Sequence, residues 1–397
     1  MSEIFDVIVC GAGPAGATAA LMCARAGMKT LLLERRTLPR YKTCGGGMPV
    51  TIRGIVDGLT ADAFVESTVT HLRHTWNFRS AHLAPLNQEG DDSTSLWMVQ
   101  RSIFDNALTQ MAAAAGAEVR DTCPIRLVEE DGNFLVRVTT QNGDIFSARH
   151  IIGADGATGI VAKIAQLRPV RTHAIALEAE IPFDWKGGHE TLRPHVAHLE
   201  YAVRQGYGWV FPKEHHLSIG AGMFGRRTAD GKGDASKEEL SRWITGYLKT
   251  LKIPADVSKI EYHGHPLPIW NGREPLQTWN GRVMLVGDAA GLVNPLFGDG
   301  ISYACRSGKL AAQTLLDGKS AEWSEIAAGE FAPDHDAALK IAQFFYLMPR
   351  LCYTLGVKHP RGTHLAGRLL NGTLRYEEVL DRLPWKKQMT AAVVTWK

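Results

Sequence analysis

Six residues near the start of the chain, Gly11-Ala12-Gly13-Pro14-Ala15-Gly16, have the types and spacing of a phosphate cradle. Gly11 permits a tight strand-to-helix turn, Gly13 lets backbone approach a pyrophosphate, and Gly16 lets helix and strand pack closely. Pro14 and Ala15 fall where a helix begins, and its free N–H groups and positive dipole end attract phosphate. Glu34 stands 18 residues past Gly16, close to the ~20 expected of a carboxylate that accepts from a ribose hydroxyl. Arg35 follows it and joins the same candidate set. A glycine-rich surface turn would not explain the terminal acid, so the chemistry read here is dinucleotide binding.

Three further groups carry chemistry. Cys44 sits at the mouth of Gly45-Gly46-Gly47, an open loop that can lie against a ligand, with Arg40 and Lys42 nearby. It is either a thiol whose pKa those cations depress or an ordinary loop thiol. Arg101 stands just before a helix with an apolar face of Ile103, Phe104, Ala107, Leu108 and Met111, for which Ser102 is the expected N-cap. Its guanidinium can hold a phosphate or a flavin edge, or it can pair with Asp105. Tyr207, Trp209 and Phe211 share one face of a strand and form either core or the wall of an apolar substrate pocket.

Periodicity supplies the elements that must position these residues. Residues 7–10 and 30–33 are buried strands, joined by an Ala-rich helix to about Arg25 that stops at Gly27. Strands are expected at 118–119, 124–130, 134–140 and 145–148, the last three forming a meander with turns at Asp131-Gly132 and Asn142-Gly143. Residues 150–153 run into Gly153-Ala154-Asp155-Gly156, with Gly159 just beyond. Residues 282–286 deliver Asp288 to the same end of the sheet as the glycine-rich turn. Pro295, Gly298, Gly300 and Ile301 follow, then a helix over 302–316 whose N-terminus can face an electron-rich ring. Between these parts, strands are expected at 173–181, 195–203, 206–213 and 217–224, and an amphipathic helix at 238–251.

A hydrophobic content of 45% and a charged content of 21% describe a globular protein. The net charge of +3, with no basic run and no zinc spacing, argues against a nucleic-acid partner. Six scattered cysteines without metal spacing predict no metal site and a reducing, cytoplasmic compartment. The first strand starts almost at Met1, which predicts no signal peptide, and no apolar run reaches the ~18 residues of a membrane span. Residues 340–397 carry ten Lys and Arg against three Asp and Glu. With apolar stretches at 344–348 and 351–353, this region is either a solvated helical cap or a peripheral membrane contact.

The three motifs at 11–16, 153–156 and 286–291 together resemble the FAD proteins related to aromatic hydroxylases. Within that group the chain most resembles the geranylgeranyl reductase family over residues 6–316. The resemblance is carried by KTCGGG at 42–47, YGWVFPK at 207–213 and GDAAGLVNPLFGDGISYACRSG at 287–308. It implies an α/β fold with a Rossmann-type FAD-binding domain, a second antiparallel-sheet substrate domain and a helical C-terminal region. The expected domains are 1–170 with 270–318, 171–269, and 319–397.

The resemblance also implies roles. Gly11 to Gly16 bind the ADP pyrophosphate, Asp155 and Gly159 lie near it, and Asp288 holds the ribityl and pyrophosphate groups. Arg101 contacts FAD, Ile125 contacts adenine through backbone, and Pro295, Gly298, Gly300 and Ile301 lie by the flavin. Cys44 is at the flavin's face beside Gly45 to Gly47, and Tyr207 and Trp209 line the substrate cavity. The family reduces isolated C=C bonds of isoprenoid chains in lipid or pigment precursors. The implied reductant is external, NADPH or ferredoxin, since no second G-x-G-x-x-G domain is present. The chain departs from the family at Arg204, where proline is usual. Two alternatives compete. One is a monooxygenase or halogenase of an apolar substrate, although Tyr207 replaces the first Trp of the halogenase motif. The other is an electron-transfer flavoprotein that reduces a quinone.

Overall fold

The structure is a computed structural model that describes residues 4–132, 134–168, 173–224, 237–270, 272 and 274–382. Apolar runs at the predicted positions build the first sheet, apart from the edge strand Gln277–Thr278, which the sequence reading did not expect. Its order is Gln277–Thr278, Val283–Leu285, Ile145–Gly153, Ile4–Cys10, Thr30–Leu33, Glu118–Arg120. All of these pairs are parallel except the one formed by Gln277–Thr278. Strands of this kind are covered on both faces, and Val7 to Cys10 and Leu31 to Leu33 are fully or almost fully buried. The expected meander is present: Ile125–Asp131 pairs with Leu135–Thr140, which pairs with Ile145–Gly153.

The helix Pro14–Arg25 starts at its proline, as a helix can, because that residue's missing N–H would be unpaired there anyway. It packs against the helix Ile301–Leu316, where a side chain on Gly308 would meet Ala15 O at 2.1 Å. The helix Arg101–Ala114 begins one residue before the expected cap. Gln100 occupies the N-cap position with no side-chain bond, so Ser102 does not cap it.

The second sheet has the order His263–Pro268, His173–Pro182, His216–Met223, Gly206–Pro212, Val196–Glu200, His71–Trp76, Arg79–Pro85. It is antiparallel except where Val196–Glu200 runs parallel to His71–Trp76. The hairpin 71–85, grouped by sequence with the first domain, therefore pairs into the second sheet. One face of this sheet packs Val210, Leu217 and Ile219 against Leu240, Ile244 and Tyr247 of the helix Lys237–Thr250. The period of two turns Tyr207, Trp209 and Phe211 to the opposite face. A third, three-stranded sheet sets Leu96–Val99 between Gly47–Pro49 and Val65–Val69, and so anchors the end of the triple-glycine loop.

The C-terminal region is helical as expected, with Trp323–Leu347, Pro349–Cys352, Gly362–Leu370 and Tyr376–Arg382. It reaches both sheets. Trp323 is buried and its Nε1 donates to Leu285 O at 2.9 Å in the first sheet. Ala337, Ala342 and Tyr346 share a core with Phe224 and Ile269, which flank the second. Among the described residues no helix is long and apolar enough to cross a membrane.

Candidate functional site

The strand Ile4–Cys10 ends at Gly11, whose φ of +110° suits glycine and whose Cβ would collide with Ala154 O at 2.5 Å. Gly16 is similarly hemmed in, 1.9 Å from Gly11 O for an added Cβ. Gly13 differs: the nearest atom to a Cβ there is Arg40 Nη2 at 3.8 Å, so this position faces open space at the N-terminus of the first helix. Such a cradle fits a pyrophosphate. Glu34 is 4% exposed and shapes the turn. Its Oε2 accepts the Ala12 N–H at 3.0 Å and pairs with Arg40 Nε at 3.1 Å, while Oε1 accepts the Arg36 N–H at 3.1 Å. A carboxylate has about four acceptor sites, which leaves one for a ribose hydroxyl. Arg35 is exposed at the edge of the same cavity, which Ile125 also lines.

Asp155 is spent largely on local structure. Its Oδ2 accepts the N–H groups of Ile160 and Val161 at 2.6 and 2.9 Å and so caps the helix Val161–Ile164. A Cβ on Gly159 would lie 2.1 Å from the Asp155 carboxyl carbon, which is why glycine stands there. Asp288 is half-buried on the cavity wall, with Gly300 close to its Oδ1. Gly300 leaves the helix Ile301–Leu316 without a side-chain cap, and Gly300 and Ile301 at its N-terminus line the cavity. Pro295 is buried behind the wall rather than on it, and Gly16 likewise serves packing.

Arg101 takes the local pairing: Nε and Nη2 bond Asp105 at 2.7 and 2.9 Å, and Arg40 Nη1 shares that carboxylate at 3.0 Å. Burial opposes its charge, but Asp105 and then Cys44 outweigh burial and hold the guanidinium above its ordinary range. Arg40, expected beside Cys44, is thus committed to Glu34 and Asp105. The cations that act on Cys44 are Arg101, Lys42 and Lys213. Burial pulls both lysines down to about 8. Lys213 is 2% exposed and its Nζ donates to Val99 O at 2.6 Å.

The triple-glycine loop lies flat on the aromatic stripe. A Cβ on Gly45 would stand 3.0 Å from the Phe211 ring and 3.1 Å from Trp209 Nε1. Gly46, at φ +73°, has Val99 O 2.1 Å and Lys213 Nζ 2.5 Å from where a Cβ would be. Its N–H points to Cys44 Sγ at 3.4 Å. Tyr207 donates its hydroxyl to Phe297 O, and burial raises its pKa. Trp209 Nε1 donates to Ser218 Oγ at 3.3 Å.

Two acids here escaped the sequence reading. Glu178, on the strand His173–Pro182, is 1% exposed. Its Oε1 accepts the Cys44 N–H at 2.7 Å and the Tyr41 hydroxyl at 3.1 Å, and its Oε2 accepts Ser218 Oγ at 3.3 Å. Burial raises its pKa. The available signal was an acid in the interior of an apolar strand, which is costly unless its oxygens are satisfied. Asp299 lies on the cavity wall between Gly298 and Gly300. Burial pushes it up to about 7, and its buried Oδ1 has no hydrogen-bond partner among the described residues.

Glu34, Cys44, Arg101, Glu178, Tyr207, Trp209, Asp288 and Asp299 border one cavity of about 1090 Å³, at the upper end of the ~300–1,000 Å³ usual for ligand sites. A polar arm runs past Gly13, Glu34, Arg35, Arg101, Asp155 and Asp288. An apolar arm runs past Tyr207, Phe224, Phe297, Phe344, Tyr346 and Leu355. Phe344 to Tyr346, an exposed-looking stretch by sequence, thus turn inward. The arms are bordered in common by Cys44 and Gly45 to Gly47. Every Lys and Arg among the described lining residues belongs to the polar arm. The glycine cradle, the spare acceptor on Glu34 and an uncapped helix N-terminus fit an extended dinucleotide such as FAD.

Known proteins agree. Residues 5–316 match the FAD binding domain family. Geranylgeranyl diphosphate reductase of Rhodobacter capsulatus is 31% identical over 364 residues, 85% of this chain and 82% of that protein. Menaquinone reductase of Mycobacterium tuberculosis is 29% identical over 91% of this chain and 88% of its own length. A geranylgeranyl bacteriochlorophyll reductase-like protein of Thermoplasma acidophilum shares the fold, with a TM-score of 0.77 at 23% identity over 98% of this chain and all of that one. A family match across most of the chain, together with a relative of this identity and coverage, decides the matter: the chain belongs to the FAD binding domain family and is an FAD-dependent oxidoreductase of the geranylgeranyl reductase kind.

Proposed function

We propose that the enzyme saturates C=C bonds in an isoprenoid chain of a lipid or pigment precursor. The observation that carries this reading is the single cavity whose cation-free apolar arm meets the FAD arm at Cys44 and Gly45 to Gly47. The names of the relatives in Rhodobacter capsulatus and Thermoplasma acidophilum support it. In its reduced form FAD supplies a hydride to one alkene carbon. The protein then has to hold the chain, exclude water and deliver a proton to the other carbon.

Gly11 to Gly16, Glu34, Arg35, Arg101, Ile125, Asp155, Gly159, Asp288, Gly298, Gly300 and Ile301 are the residues proposed to hold FAD. Tyr207 and Trp209 wall the alkene site, fixed through Phe297 O and Ser218. Cys44 is the proposed proton donor, with Arg101 and Lys42 facing the charge left on its sulfur. Glu178 positions it through the 2.7 Å bond to its N–H. The reductant is proposed to be external, NADPH or ferredoxin.

The test is anaerobic incubation of dithionite-reduced enzyme with geranylgeranyl lipids and mass spectrometry of the products. Gain of two hydrogens per bond is expected. A product that gains oxygen in air would favour a monooxygenase instead. The relative named menaquinone reductase favours a second reading, a prenylated quinone as substrate. The absence of Lys and Arg from the described lining of the apolar arm suits a head group without negative charge. The same assay with menaquinone separates saturation of its side chain from reduction of its ring.

A further inference from the structure

Exposed large apolar side chains concentrate at one place among the described residues. Leu347, Met348, Leu351, Leu355 and Leu365 are 59, 37, 46, 63 and 40% exposed and fall within 19 residues of sequence. They occupy the end of the helix Trp323–Leu347, the junction at Met348, the helical turns Pro349–Cys352 and Tyr353–Val357, and the helix Gly362–Leu370. Met348, Leu351 and Leu355 also line the apolar arm, so the patch is the rim of its mouth. A cluster of this kind marks an interaction site more often than scattered single leucines do.

Charge narrows the partner. Residues 337–376 carry Lys340, Arg350, Lys358, Arg361, Arg368 and Arg375 and no Asp or Glu, in a chain whose net charge is only +3. Arg375 is taken by Asp334 and Arg368 by Thr373 O. Arg350, Lys358 and Arg361 reach no carboxylate among the described residues, and Lys358 only covers the Tyr353 ring. Exposed leucines interleaved in sequence with cations that reach no carboxylate complement an acyl layer with anionic head groups.

We propose that this face docks on an anionic bilayer, with the mouth of the apolar arm opening into the acyl layer. An apolar substrate then reaches Cys44 without crossing water. The surface is physically distinct from the flavin site, and vesicle binding is read without turnover, so its failure would leave the reductase reading standing.

The experiment is co-sedimentation of the full-length flavoprotein with vesicles of phosphatidylcholine alone and of phosphatidylcholine mixed with phosphatidylglycerol. Binding to the mixed vesicles, weakened by salt, is expected. Leu351→Ser with Leu355→Ser should weaken it by ~100-fold, about tenfold per leucine. Arg350→Gln with Arg361→Gln should weaken it by ~25-fold, about fivefold per cation. Ile145→Ser, a change at a 59% exposed side chain of the first sheet, should leave it unaltered. Flavin absorbance and melting temperature check that each variant is folded. A wild-type protein that stays in the supernatant, equal binding to both vesicles, or binding indifferent to the leucine pair overturns the proposal. So does a dimer that the leucine pair dissolves, which would assign the face to a second copy of the chain.

Discussion

The backbone N–H of Cys44 donates to the Glu178 carboxyl at 2.7 Å, across 134 residues of sequence. That bond fastens the triple-glycine loop, where the two arms of the cavity meet, to a strand of the second sheet. The other Glu178 oxygen accepts from Ser218, which in turn accepts from Trp209. One buried carboxyl therefore sets the spacing between the candidate proton donor and the aromatic wall.

Removing that carboxyl should separate positioning from packing. Glu178→Ala leaves the Cys44 N–H without its acceptor and should cost about 1–3 kcal/mol for each buried donor left unpaired. Glu178→Gln keeps an acceptor oxygen and should fold nearly as well as the wild type. Urea unfolding compares the two. If Cys44 depends on this bond, the Gln variant retains most of its turnover and the Ala variant loses it together with the visible circular dichroism of bound FAD. Equal turnover in both would leave Glu178 with a packing role only.

Asp299 should write itself into the pH dependence of stability. Burial pushes its folded pKa up to about 7, whereas an unfolded aspartate titrates near ~3.9. The folded chain then binds the proton more tightly than the unfolded one. Its contribution is fully present below about pH 4 and is lost as pH rises through about 7. Asp299→Asn cannot lose a proton, so its melting temperature should fall less than that of the wild type between about pH 4 and 7. Parallel melting curves for the two proteins would show that Asp299 stays ionised in the fold.

Glu34 should matter for FAD retention more than its single expected ribose contact suggests. It also holds Ala12 N–H, Arg36 N–H and Arg40. Hydrogen bonds to a charged group are worth about 1.5–3 kcal/mol, so Glu34→Ala should weaken FAD by ~10–100-fold. Fluorescence titration of the apoprotein with FAD reads this directly. Arg35→Ala, at an exposed position on the cavity edge, should change affinity by only a few-fold. The reverse ranking would contradict the geometry.

Much of the FAD arm is legible in the sequence because its determinants are local. Gly11, Gly13 and Gly16 are read from one turn, and buried parallel strands announce themselves as short apolar runs. The second sheet is read in part, since its alternation sets Tyr207, Trp209 and Phe211 on one face whatever their partners. What sequence misses is pairing at a distance. The hairpin 71–85 joins the second sheet through Val196–Glu200, and no local pattern specifies that partner. Arg40 lies four residues from Cys44 yet turns to Glu34 and Asp105. Glu178 comes to Cys44 from a strand of the second sheet, 134 residues away in sequence. Phe344 to Tyr346 and Leu347 to Leu355 have similar composition, and only the fold decides that the first group lines the arm while most of the second is exposed at its rim.

Cys44 and Tyr207 should fail in different ways. Cys44 contributes a thiol, and its backbone bond to Glu178 survives truncation, so Cys44→Ala should keep FAD within about twofold of wild-type affinity. If the thiol is the proton donor, turnover should fall by ~10²–10⁴, the usual worth of a placed general acid. Tyr207 already gives its hydroxyl to Phe297 O, so that proton is held in structure. Tyr207→Phe should then release the loop before Gly298 and raise KM for the isoprenoid several-fold while kcat changes little. Steady-state kinetics with separate kcat and KM decide between the two. A Tyr207→Phe enzyme that loses kcat as steeply as Cys44→Ala would move the proton source from the sulfur to the phenol.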